Sequence, residues 1–161
     1  MDIFEFGMKM EADGESYYRE IAEKSDDKGM KAILNLLADS EVKHYNVLRA
    51  MKEQAGAELG TVTLLPEVKN VFEQMREDRG HLDTDVSQVA LYREAKDVEL
   101  RSESFYREQS EAVEAPAAKD IFLKLADEEK EHALILDNLI EMLGRPDTWM
   151  ENAEWRNLGE Y

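Results

Sequence analysis

The sequence predicts an all-α protein, a four-helix bundle assembled from two copies of one helical hairpin. Three observations predict it. Long segments repeat their apolar residues every three or four positions, the period of a helix with one buried face. All three prolines, Pro66, Pro116 and Pro146, fall at or between the ends of those segments. The chain also repeats itself at an offset of 88: Glu11, Tyr18, Ala38, Glu41 and His44 recur as Glu99, Tyr106, Ala126, Glu129 and His132. No gap is needed, and "ESYYRE" (15–20) returns as "ESFYRE" (103–108), "LADSEVKH" (37–44) as "LADEEKEH" (125–132).

The first helix runs from near residue 2 to about Lys24, before "SDDKG". Asp26 or Asp27 can cap a second helix, which continues to about Gln54, where Gly56 and Gly60 release it. Residues 56 to 83 form a long crossover with a possible short helix whose first turn holds Pro66. A third helix follows Thr84 and extends to about Glu114. Pro116 opens a fourth, and "GRP" at 144 to 146 stops it. The crossover is long enough to join helix 2 to a helix 3 that is not its antiparallel neighbour. Residues 1–144 thus form the bundle, and residues 145–161 a tail bearing Trp149, Trp155 and Tyr161, expected to dock on the bundle or on a partner subunit.

Composition narrows the functions. A net charge of −17 repels nucleic acid and anionic lipid, which argues against both as partners. The absence of cysteine excludes thiolate metal sites, a cysteine nucleophile and a built-in iron–sulfur centre, so any electrons come from elsewhere. An acidic start without a basic leader or a long apolar run reads as neither a signal nor a membrane span, and a cytoplasmic location is expected.

Two ionisable residues interrupt the core stripe of the second helix. Leu34, Leu37, Leu48 and Met51 mark that stripe, and Glu41 and His44 fall on it; Glu129 and His132 interrupt the stripe of Phe122, Leu125, Leu136 and Leu139 alike. Residues three apart share a helix face, so each Glu-x-x-His pair aims a carboxylate and an imidazole at one point. Glu11 and Glu99 stand seven residues before Tyr18 and Tyr106 on the same inward faces of helices 1 and 3. Four buried carboxylates would mostly take up protons unless cations offset them. Two divalent ions neutralise them, and oxygen with imidazole donors suits iron or manganese, with zinc able to compete.

With these motifs, residues 2 to 144 resemble the ferritin-like di-iron carboxylate proteins, most closely the rubrerythrin erythrin domain and next the bacterioferritins. The resemblance implies a ferritin-like bundle and two metal ions, most readily iron, held by Glu11, Glu41, His44, Glu99, Glu129 and His132, with Glu41 and Glu129 bridging. It implies an oxidoreductase of peroxidase or ferroxidase type that reduces hydrogen peroxide or dioxygen. A homodimer or larger homo-oligomer is expected. Ferritin-type oxidation and storage of ferrous iron is the alternative; a di-iron oxygenase and a metal-free helical interaction module stand behind it. Tyr18 and Tyr106 are candidates to hydrogen-bond the ligand carboxylates or accept an electron, against the plainer reading that they simply pack. Glu15 and Glu103, only about 40° round the helix, rival Glu11 and Glu99. Asp39, Ser40, Asp127 and Glu128 are candidates to hold the second ring nitrogen of each histidine. Two departures stand out: where rubrerythrins carry a further glutamate, one turn after the helix 3 ligand, this chain has Ser102, with Gly14 as its repeat partner; both are small, so a roomier site is expected, with a six-ligand set that resembles the bacterioferritins more closely. The chain also has no rubredoxin-type domain, so a separate rubredoxin-like electron donor is expected.

Overall fold

The computed structural model describes residues 2–54 and 88–145, together with Val68, Asn70, Glu73, Gln74 and Glu77 between them. Four long helices carry the described chain: α1 (Ile3–Lys24), α2 (Lys28–Lys52), α3 (Val89–Ala112) and α4 (Pro116–Gly144). No strand occurs among the described residues. The fold is an all-α, ferritin-like four-helix bundle.

Local chemistry sets the ends. Asp2 caps α1 by accepting from the Glu5 N–H at 2.8 Å, and Asp27 caps α2 by accepting from Met30 N–H at 2.9 Å. Pro116 occupies the first turn of α4, where its missing N–H has no partner to lose. Helix α2 ends at Lys52, short of Gln54, which itself takes a left-handed φ of 54° just past the cap. The chain therefore turns before reaching Gly56. Helix α3 begins at Val89, later than the Thr84 boundary; residues 78 to 87, with His81, lie outside the described residues, as do Gly56, Gly60, Pro66 and the tail from 146 on. Of the crossover, the five described residues are helical and Val68 is fully buried.

Antiparallel hairpins form from α1 with α2 and from α3 with α4, and α1 then faces α3 while α2 faces α4. The repeat extends to the surface that ties each hairpin: Arg19 bonds Asp39 at 2.7 Å, and Arg107 bonds Asp127 at 3.1 Å, 88 residues on. Two apolar clusters fill the bundle at different levels. One is built on Tyr18, Ile33, Leu37, Tyr92, Leu136 and Leu139, the other on Leu48, Tyr106, Phe122 and Leu125. Each fully buried leucine or phenylalanine contributes about 1.5–3 kcal/mol. The polar residues sit between these two plugs.

Candidate metal centre

Glu11, Glu41, His44, Glu99, Glu129 and His132 are each at least 96 % buried and converge on one point. One donor atom from each of Glu11, Glu41, His44 and Glu129 lies within 4.8 Å of the others, and the same holds for Glu41, Glu99, Glu129 and His132. Glu41 and Glu129 belong to both groups. Helices α2 and α4 place them through the i, i+3 spacing, because each Glu-x-x-His puts both side chains on the face turned to the other helix.

The imidazole rings lie nearly parallel, 5.6 Å apart. Each turns Nδ1 inward: His44 Nδ1 is 2.9 Å from Glu129 and 3.5 Å from Glu11, and His132 Nδ1 is 3.1 Å from Glu41 and 3.4 Å from Glu99. Each turns Nε2 outward. His132 Nε2 meets Ser40 Oγ at 3.0 Å, and His44 Nε2 faces Glu128 at 3.5 Å. Of the four candidate supports, Ser40 bonds the His132 ring and Glu128 lies near the His44 ring without a hydrogen bond, whereas Asp39 and Asp127 are spent on the surface arginines.

Tyrosines cross the bundle to the remaining carboxylates. Tyr18 donates to Glu99 and Tyr106 to Glu11, α1 to α3 and α3 to α1. Burial and these carboxylates push both phenols well above their ordinary value. Glu15 and Glu103 point away from the cluster toward Arg19 and Arg107, at 3.5 and 3.6 Å.

The electrostatics sort the four carboxylates into two kinds. Burial raises Glu11, but His44 outweighs it and holds the carboxyl down to about 2; Glu99 is lowered likewise, burial being overcome by His132. Burial and the surrounding carboxylates raise Glu41 and Glu129 well above the usual range. Burial opposes charge on the histidines, yet the facing glutamates lift both well above 6.5. Without metal, then, Glu11 and Glu99 favour the charged form, Glu41 and Glu129 hold a proton more readily than a free carboxyl does, and both histidines favour the imidazolium. Glu11 Oε2, Glu129 Oε2 and His44 Nε2 are nevertheless buried with no hydrogen-bond partner. Orphaned oxygens inside a ring of carboxylate and imidazole donors are what a cation would satisfy, so the residues fit a pair of metal ions.

The room expected beside Gly14 and Ser102 is present, though its shape could not be read from the sequence. A cavity of about 150 Å³ opens beside the cluster on the α1/α3 seam, against Gly14, Ala95, Val98 and Ser102. The small residues at 14 and 102 were its only signal. A Cβ added to Gly14 would lie 3.2 Å from Glu41 Oε2. No described helix is long and apolar enough to cross a membrane.

Compared with known families, the chain matches the one described as Rubrerythrin over residues 2–140, and a second, overlapping match takes in residues 91–154. Neither the curated proteins nor the solved structures yield a significant match. The chain belongs to the rubrerythrin family, and its buried Glu and His cluster is consistent with a di-iron site.

Proposed function

We propose that this rubrerythrin-family chain holds two metal ions, iron before manganese or zinc, and reduces hydrogen peroxide or dioxygen with electrons from a separate, rubredoxin-type protein. The observation that carries the reading is the sharing of Glu41 and Glu129 between two donor groups, one completed by Glu11 and His44, the other by Glu99 and His132. When bound, such metals supply Lewis acidity and redox equivalents. The chain's own residues do the rest. Nδ1 of each histidine serves as donor while Ser40 bonds the outer nitrogen of His132 and Glu128 faces that of His44. Tyr18 and Tyr106 each occupy one oxygen of Glu99 and Glu11, steadying both carboxylates, and the second oxygen of Glu11 is without a hydrogen-bond partner. Metal ions held here would displace protons from Glu41, Glu129, His44 and His132, the groups whose surroundings favour keeping one.

The setting we assign is a cytoplasmic homodimer or larger homo-oligomer, with the donor supplied externally because the chain contains no cysteine. Stopped-flow mixing of the anaerobically reduced, iron-loaded protein with peroxide and, separately, with dioxygen tests the reading. Much faster reoxidation by peroxide is expected. Equal or faster reaction with dioxygen, followed by growth of an iron mineral, overturns it in favour of ferritin-type storage.

A further inference from the structure

We propose that the α1/α3 seam contains a binding pocket for a small, uncharged organic molecule with an apolar body of benzene size, lying against the Glu99 side of the cluster and not the Glu11 side. The cavity of about 150 Å³ has the volume at which an apolar protein cavity accepts benzene. Met10, Gly14, Ala95 and Val98 give it carbon walls, and Glu41 and Glu99 form its polar edge.

Every hydroxyl in the lining is already used. Tyr18 donates to Glu99, Tyr17 donates to the Leu91 carbonyl at 3.0 Å, and Ser102 donates to the Val98 carbonyl at 3.0 Å. Of the two acids at the rim, Asp13 is held by Lys9 at 2.7 Å and Glu94 faces the Tyr17 hydroxyl. A ligand therefore meets carbon and carboxyl oxygen, with every hydroxyl of the lining already engaged. An ion of either sign would lose its water against carbon walls that cannot replace it. A neutral molecule with one hydroxyl fits both surfaces, its body on the carbon walls and its proton toward the carboxyl oxygens.

The pocket breaks the two-fold symmetry. The repeat partners of Glu94 and Ala95 are Phe6 and Gly7; Phe6 packs on Phe105 at 5.1 Å, and Leu48 closes on Gly7. The groove on that half, about 630 Å³, has neither Glu11 nor Glu129 among its described lining residues. Met10, Asp13, Val98 and Ser102 line both spaces, so the outer groove and the inner pocket adjoin.

The proposal is independent of peroxide reduction, since a chain inert toward peroxide would still bind. Its test is calorimetric titration of the full chain with phenol and with benzoate, alongside methyl NMR. Phenol should bind saturably at one per chain and shift the Ala95 and Val98 methyl signals, with benzoate at least about tenfold weaker. Ala95→Leu, which fills the pocket one turn from Glu99, should weaken phenol binding by at least about tenfold. Absence of saturable phenol binding, methyl shifts confined to other residues, benzoate binding as tightly as phenol, or unchanged affinity in a folded Ala95→Leu protein would overturn the proposal. Should that variant fail to fold, the wild-type methyl shifts decide alone.

Discussion

Hairpin α1–α2 and hairpin α3–α4 bury the same residue types at positions 88 apart, Glu11 with Glu99, Glu41 with Glu129 and His44 with His132. Around them the copies part. Ser40 stands opposite Glu128 in the repeat, Gly14 opposite Ser102, and Glu94 opposite Phe6. A single cluster draws on both hairpins, so losing a donor from either copy leaves a buried charge unbalanced. The neighbours carry no such double constraint, and there one half has opened a cavity to the carboxylates while the other has closed it with phenylalanine and leucine.

The largest effect should come from the shared carboxylates. Glu41→Ala and Glu129→Ala each remove a member of both donor groups, and metal analysis should find close to none bound in either variant; Glu11→Ala and Glu99→Ala, each in one group, should keep about one ion per chain. Unequal losses at matched positions would break the symmetry of the site.

Next in size is the response of the metal-free protein to pH. His44 and His132 titrate well above 6.5, and Glu41 and Glu129 well above 4.5. A value raised by folding contributes stability that is complete below the unfolded value and lost as pH rises through the folded one. Glu11, held near 2, has the opposite sign: its contribution is present above 4.5 and lost only as pH falls toward 2. The melting temperature of the metal-free chain should therefore fall as pH rises above 6.5, the ordinary histidine value, while that of the metal-loaded chain, whose protons would have been replaced, stays level. Calorimetric melts of both forms check this.

The supports behind the rings should separate the two halves. Ser40→Ala removes a 3.0 Å contact to His132 and should weaken metal binding about 10- to 100-fold, measured by competition with a chelator, whereas Glu128→Ala, 3.5 Å from His44, should cost less. The tyrosines should act alike. Tyr18→Phe and Tyr106→Phe each delete a hydrogen bond to a buried carboxylate, and denaturant melts should show about 1.5–3 kcal/mol lost for each. Smallest of all, Glu15→Gln and Glu103→Gln should leave metal content unchanged, because both side chains serve surface arginines.

Much of this was legible in the sequence for a physical reason. Helical period and the 88-residue repeat are local patterns, and charged residues on a core stripe are conspicuous wherever they occur. Hence the bundle, its helix ends to within a few residues, and the convergence of Glu41, His44, Glu129 and His132 follow from spacing. The choice of Ser40 and Glu128 over Asp39 and Asp127 did not, because it depends on the angle at which α2 meets α4. Nor did the end of α2, since Gln54 adopts a left-handed turn that its residue type does not advertise. The shape of the cavity was hidden for a further reason: Gly14 and Ser102 announce missing bulk, but only the packing of α1 on α3 determines how far neighbours fill it.

The central claim is one two-metal centre assembled from both hairpins, and anomalous X-ray scattering at the iron edge from iron-loaded crystals tests it most directly. Two peaks per chain are predicted between the Glu41 and Glu129 carboxylates, one flanked by Glu11 and His44, the other by Glu99 and His132. A single peak, or peaks away from these six side chains, would contradict it.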